Sequence, residues 1–360
     1  MCAQAFINRI ATAVPDHSVH RFFLQFAGSQ LTSNPRRRAI FNRMADKGGI
    51  EHRYSCFAPA EDPEGPSVDM AGVFKRGAFP GTATRMEMFA AAAPVLAQQA
   101  VERLLQDKDR TTVTHLIVTT CTGFSAPGID LEIIARCNLP TNVERTVIGF
   151  MGCYAAINAL KLARHIIRSE PEAHVVIVCI ELCTLHLRET SDLEKLLSFC
   201  LWGDGCAAAS VTARPFGIGL DSFHAIVAAD SRDLMTWGIR DDGFDMVLSG
   251  QVPGAIQGVL ATGIGSILGA SSVGSVDLWA VHPGGRSILD AVERALNLHP
   301  CALSMSREVL RENGNMSSAT VMFVLERMLR GFTEDRVGCA MAFGPGLTAE
   351  TMMFHTAGNA

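Results

Sequence analysis

The chain has 360 residues, 48% hydrophobic and 19% charged, with a formal net charge of −5 and a pI near 6.1. That length allows a large core in two domains or one large one. The mildly acidic balance argues against nucleic acid as a partner, since nucleic-acid binding usually leaves a strongly basic domain.

The first eighteen residues, MCAQAFINRIATAVPDHS, lack the basic segment and apolar stretch of a secretion signal. The eleven cysteines are therefore expected as reduced thiols in the cytoplasm. The spacings Cys179/Cys183 and Cys200/Cys206 give no paired metal-binding pattern, so no metal is expected. The one dense basic run is Arg36, Arg37 and Arg38, with Arg43 and Lys47 nearby.

In chain order, the periodicity predicts a helix over 86–106, a buried strand over 115–120 (HLIVTT), a helix over 152–169, and strands over 175–180 (VVIVCI) and 206–212. A strand follows at 278–281 (LWAV), then helices over 287–296 and 316–331, and a strand over 337–343. The longest apolar stretch, 147–163, is broken by Gly149, Gly152, Asn158 and Lys161, so it reads as a core helix and no membrane span is expected. The alternation argues for an α/β protein with helices on largely buried sheet.

A faint duplication emerges from the spacing. Leu116 and Leu278, Cys153 and Asn315, and Val175 and Val337 are each 162 apart (278 − 116, 315 − 153, 337 − 175). Each half closes on a glycine turn, Gly203-Asp204-Gly205 and Gly344-Pro345-Gly346. The boundary is placed near 213–217, giving halves 1–213 and 214–360 fused into one body.

Three residues could carry chemistry. Cys153, in GFMGCYAA, stands at a glycine-flanked helix start, where the helix dipole and free N–H groups favour a thiolate. The bland alternative is a buried structural cysteine. His282, in VHPGG, ends a strand and could pair with a thiolate or donate to an oxyanion; alternatively it is a satisfied turn histidine. Asn315 reads first as a helix N-cap, but by the repeat it is the counterpart of Cys153, so an amide there could donate to a developing oxyanion. The stretch AFGPG is no nucleotide loop. Cys121, Cys183, Cys200 and Cys206 read as small core or pocket residues, Cys121 with the most open role.

The segments GFMGCYAA, VHPGGRSILDAVE, NGNMSSATVMFVLE and AFGPGLTAETMMFH, in this order and supported by LWGDGCAA and FNRMADKGGIEHRY, closely resemble the type III polyketide synthases, the chalcone and stilbene synthase family, over about residues 6–355. The resemblance implies a thiolase-like fold: two duplicated strand–helix–strand halves in a five-layer α/β arrangement, assembled as a homodimer. It implies that Cys153 accepts the starter acyl group from its CoA thioester, and that His282 pairs with it as an imidazolium–thiolate couple. His282 and Asn315 together would hold the enolate formed when malonyl-CoA loses carbon dioxide. The partners implied are an acyl-CoA starter and malonyl-CoA, with no cofactor. Arg43 and Lys47 match the positions that meet CoA phosphates, while Ile40 replaces a further cation of the plant enzymes.

Pocket positions implied are Trp202 and Met246 as gatekeepers, with Cys121, Cys183, His186, Trp237, Leu248, Phe343 and Pro345. Trp237 stands where plant enzymes carry glycine, which would narrow the cavity, and Ala126 stands where their methionine reaches the partner subunit. These departures resemble bacterial members that take aliphatic starters and give pyrones or resorcinols. Two other readings were open: a single-condensation ketoacyl-carrier-protein synthase or hydroxymethylglutaryl-CoA synthase-like relative, and a catalytically dead scaffold. The second relative needs a glutamate beside the cysteine, and none stands near residues 121–124. Retention of Cys153, His282 and Asn315 speaks against the scaffold.

Overall fold

The β-branched runs of the sequence fold into strands of one nine-stranded sheet. The computed structural model describes residues 3–331 and 334–358. The first half contains β1 (Phe6–Ala13), β2 (His17–Ser18), α1 (His20–Ser29), α2 (Pro35–Asp46), β3 (Tyr54–Ser55), α3 (Thr82–Leu104), α4 (Asp107–Arg110), β4 (His115–Thr120), α5 (Ile129–Cys137), β5 (Glu144–Gly149), α6 (Ala155–Ser169), β6 (Val175–Leu182), α7 (Leu193–Phe199) and β7 (Asp204–Thr212). The second contains β8 (Gly217–Val227), the hairpin β9 (Met235–Arg240) and β10 (Gly243–Leu248), α8 (Val252–Leu268), β11 (Leu278–Val281), α9 (Arg286–Leu296), α10 (Ser304–Asn313), α11 (Ala319–Gly331), β12 (Val337–Gly344) and β13 (Thr348–Ala357).

The sheet runs β11-β12-β13-β8-β1-β7-β6-β4-β5. Strand for strand, β4, β6, β7 and β1 match β11, β12, β13 and β8. In each half the first pair is parallel and the following pairs are antiparallel. The halves meet in a short antiparallel contact, Phe6 with Gly219 and Ile7 with Ile218. The 162-residue offset is therefore a real structural repeat, with Leu116 in β4 and Leu278 in β11, and Val175 opening β6 and Val337 opening β12.

Strand side chains alternate between faces, and this alternation builds the layers. Val175, Ile177 and Cys179 of β6 join Ala340 and Ala342 of β12 in a central core with α6 and α11. Val176, Val178, Ile180 and Leu182 face the outer helices α3 and α5, while Cys339, Met341 and Phe343 face α8 and α9. Helix, sheet, paired helices, sheet, helix is the five-layer, thiolase-like order. The central helix α6 shows the sheets a face of small residues, Ala156, Ala159 and Ala163 beside Ile157, Leu160 and Ile167, so it can lie between both. Among the described residues no helix is long and apolar enough to cross a membrane, and the ten described cysteines are all free thiols.

Candidate active site

Both central helices start at the same point between the sheets. Before α6, a tight turn at Gly152–Tyr154 carries Cys153; before α11, Asn315 stands at the equivalent place. The turn needs glycine at 152: its φ is +75°, and a Cβ there would lie 2.5 Å from Pro345 Cδ. His282 follows β11 directly, its backbone N–H bonded to Met341 O at 2.7 Å. All three side chains are buried, with Cys153 at 6%, His282 at 1% and Asn315 at 5% exposure.

They line two adjoining voids of about 20 Å³ each. That is room for about one water molecule apiece. Cys153, Asn315, Trp202 and Met246 border both; His282, Leu248 and Phe343 border the second, and Cys121, Cys183, Trp237 and Pro345 the first. Leu248, Gly284 and Ile288 also border an open cavity of about 670 Å³ whose rim includes Lys47. The three spaces share walls and follow one another from the surface to Cys153.

The amide of Asn315 is held by both ends. Its Oδ1 accepts from Ser317 N at 2.9 Å and its Nδ2 donates to Gly284 O at 3.2 Å, and the amide also hydrogen-bonds Cys153. Among the described residues neither ring nitrogen of His282 has a hydrogen-bond partner. A buried imidazole with both nitrogens unmatched beside a void is costly unless a ligand supplies the missing bonds.

The electrostatics differ from the thiolate expected at a helix start. Burial pushes the Cys153 thiol up to about 12, although hydrogen bonds from Ser317 and Asn315 pull the other way. Burial likewise pulls His282 down to about 3. Desolvation outweighs the helix terminus, and each group alone prefers its neutral form.

Two sequence expectations shift in the structure. His186 does not border the voids. It is wholly buried behind Trp237, stacked on Phe244 with centroids 4.2 Å apart, donating through Nε2 to Thr122 O at 2.7 Å and accepting from Phe244 N at 3.0 Å. It is a satisfied support for the wall. Arg43 does not border the open cavity either; it stands exposed on α2, about one turn before Lys47.

Two groups escaped the sequence reading. Ser317, with φ +47°, puts its hydroxyl 3.1 Å from Cys121 Sγ and hydrogen-bonds Cys153 as well. Glu181 is wholly buried at the end of β6, accepting from Cys121 N at 3.0 Å, Thr122 Oγ1 at 2.9 Å and Ser318 Oγ at 2.6 Å. The signal was there, since a carboxylate inside the all-apolar run VVIVCIEL has to be matched by donors from elsewhere. Burial and the adjacent Glu181 both push the Cys121 thiol well above its ordinary range, so Cys121 sits as a protonated donor.

Against this geometry, the chain matches the N-terminal domain of chalcone and stilbene synthases over residues 2–215 and their C-terminal domain over residues 224–358. The chain belongs to the chalcone and stilbene synthase family. It is a type III polyketide synthase, an acyltransferase that extends an acyl starter by iterative decarboxylative condensation with malonyl-CoA, and the single-condensation alternative is not favoured. It is 32% identical to the "alpha-pyrone synthesis polyketide synthase-like Pks18" of Mycobacterium tuberculosis over 365 residues, covering 97% of this chain and 91% of the relative. It is also 32% identical to the bisdemethoxycurcumin synthase of Oryza sativa subsp. japonica, covering 88% and 82%. Among solved structures, PKS-I of the brown alga Ectocarpus siliculosus superposes with a TM-score of 0.88 at 27% identity over 99% of both chains. The type III domain of the Dictyostelium hybrid "Steely1" shares the fold, with a TM-score of 0.89 at 23% identity over 98% and 99%.

The synthase's site makes acid stability predictable. Burial lowers His20 to about 4 and His186 and His282 to about 3. Below the ordinary 6.5 the unfolded chain takes up these protons and the native chain does not. The stability they carry is complete above pH 6.5 and is lost as the pH falls toward 4. Asp204, raised to about 6 by burial, and Glu181, likewise raised by burial, work oppositely in the overlapping window and cancel about two of these protons. With a net of about one proton and ~1.4 kcal/mol per proton per pH unit, stability should drop by ~1 kcal/mol per unit between pH 6 and 4. Urea midpoints read at pH 7.5, 6 and 5 check this; a flat profile would contradict it.

Proposed function

We propose that Cys153, His282 and Asn315 are the catalytic groups, and that the product is an alkylpyrone or resorcinol built on an aliphatic acyl-CoA starter. The observation that carries the catalytic assignment is the unmatched His282 imidazole beside the void it shares with Cys153 and the Asn315 amide that hydrogen-bonds this thiol. As Cys153 Sγ attacks the starter thioester, its proton passes to His282, and the CoA thiolate leaves with a proton. Malonyl-CoA then sets its thioester oxygen between His282 and Asn315. Loss of carbon dioxide puts negative charge on that oxygen, where both donors are already aimed. The resulting enolate carbon attacks the Cys153 thioester carbonyl and expels Cys153 Sγ, which recovers a proton; the chain, two carbons longer, is then a CoA thioester and passes back to Cys153 with release of CoA before the next round.

Trp202 and Met246, which border both voids, serve as gates between the CoA path and the elongation space. Met246 is flexible enough to yield as the chain grows. Lys47 at the rim and Arg43 one turn earlier meet the CoA phosphates. Residues 1–213 and 214–360 act as the two halves of the catalytic body, which works in the cytoplasm without metal or bound cofactor. The synthase acts as a homodimer joined through β5, the open edge of the sheet, beside which Phe124, Leu131 and Val147 stand 39%, 41% and 45% exposed. The pyrone assignment draws support from the relative named for alpha-pyrone synthesis.

Incubation with isotopically labelled malonyl-CoA and starters from acetyl-CoA to palmitoyl-CoA and p-coumaroyl-CoA tests this reading by product mass. Two or three labelled two-carbon units on an aliphatic starter support it; turnover of the aromatic starter alone would overturn the starter class. The same assay reads the cavity wall. Trp237 Nε1 donates to Cys121 O at 2.8 Å, and its ring meets His186, Trp202 and Phe244 edge-on, so it cannot swing aside cheaply. Trp237→Ala should open the first void and shift products by at least one extension, with ~3 kcal/mol lost from stability. An unchanged product length would remove Trp237 from the wall.

A further inference from the structure

Arg53 is among the largest fully buried side chains; the buried Asp204 carboxylate acts on it only through space, without a direct ion pair. Its Nη1 donates to two carbonyls, Phe199 O at 2.8 Å and Trp202 O at 2.6 Å, and its Nε donates to His20 Nδ1 at 3.0 Å. Its Nη2 is buried without a partner. A buried guanidinium with an unspent donor is an expensive way to fill space, so its geometry calls for a reason.

The surroundings supply one. The segment that Arg53 holds is the gatekeeper segment, and that segment is stitched to the catalytic amide. Asn315 N donates to Leu201 O at 2.8 Å, and Gly203 N donates to Asn315 O at 3.0 Å, on either side of Trp202. The Arg53 stem also abuts Gly314, where φ is +69° and a Cβ would lie 2.8 Å from Arg53 Cγ and 2.7 Å from Leu201 O. One guanidinium therefore fixes the main chain at Trp202 and, through two further hydrogen bonds, at Asn315. At its other end, His20 borders the open cavity, and its Nδ1 must be the unprotonated nitrogen to accept from Arg53. A hydrogen bond to Ile50, also on the rim, engages the ring as well.

We propose that Arg53 is a positioning residue for the condensation: held in orientation by His20, it sets the Trp202 indole and the Asn315 amide relative to Cys153. This rests on the catalytic reading of Asn315 above. The group that touches substrate is Asn315; Arg53 acts through it.

Arg53→Lys keeps the charge but loses the fork, and in so buried a place it risks the fold. His20 is the gentler lever, because His20→Asn puts an amide oxygen near the Nδ1 position while His20→Ala leaves Arg53 Nε unmatched. The measurements are kcat and KM for malonyl-CoA, each per alkylatable Cys153, together with product length and Tm. His20→Ala should lower kcat about tenfold with KM changed less than about threefold, because a small displacement of a catalytic donor is costly in rate. It should also broaden the product lengths, and His20→Asn should restore kcat to within about twofold of the parent. A rise in KM alone would make His20 a CoA contact and overturn the proposal. So would equal kcat in both variants, or a loss in both that follows Tm. Asn315→Ala is the control: if it leaves turnover intact, the catalytic reading itself fails, whereas a strong loss there with an indifferent His20→Ala removes only the positioning role.

Discussion

Cys153→Ala should form no polyketide, a fall of about a million-fold or to background, since a covalent nucleophile has no substitute. The same variant should still release carbon dioxide from malonyl-CoA, because His282 and the held amide of Asn315 are untouched by losing the sulfur. Mass spectrometry of the intact protein after exposure to a starter acyl-CoA gives the sharper readout. The parent should gain one acyl group and the variant none. An acyl adduct surviving in the variant would move the nucleophile to another thiol. Cys121 would then be the first to examine, although its protonated, Glu181-bound state argues against it.

The second large effect belongs to the two donors. His282→Ala and Asn315→Ala should each slow decarboxylation of malonyl-CoA by ~10²–10³, the usual loss for one oxyanion donor. The double variant should lose less than the product of the two, because they serve one oxygen. Asn315→Asp should be worse than Asn315→Ala. Its Oδ1 can still accept from Ser317 N, but the second oxygen puts an acceptor and a charge where the enolate needs a donor. Carbon dioxide release from malonyl-CoA alone isolates this step from condensation, and a near-normal rate for Asn315→Asp would exclude the amide from the enolate site.

Much of this could be read from the residues because several strands carry unbroken apolar runs. HLIVTT and LWAV form strands with the bounds their composition predicts, HLIVTT wholly buried and LWAV largely so although it is the edge strand β11. Elements with weaker patterns were not legible. Helix α8 contains Gly254, Gly258, Gly263 and Gly265, a composition that disfavours helix in isolation, and it folds because Ile256, Val259 and Leu260 pack under the second sheet. Strand β8 is half-exposed, and β1 is interrupted by Asn8 and Arg9. The hairpin β9–β10 did leave a mark, the Asp-Gly pair at 242–243, and passing over it hid why Trp237 and Met246 face one another across paired strands. Cys153, His282 and Asn315, which the structure brings to adjoining voids, stand out in the sequence because each sits next to glycines or a strand end. The placement of His186 behind the wall, and of Glu181 beneath Cys121, depends on long-range packing that no local spacing encodes.

The two central helices come from opposite halves, so the catalytic centre belongs to neither. While the chain is being made, Cys153 leaves the ribosome 162 residues (315 − 153) before Asn315. At ordinary synthesis rates that is roughly 10–30 s in which the thiol exists without its partners. On the proposed assignment the synthase is thus born inert: a nascent chain would hold an ordinary cysteine that no donor pair assists, and neither acyl transfer nor wasteful breakdown of malonyl-CoA would begin until the last layer closes.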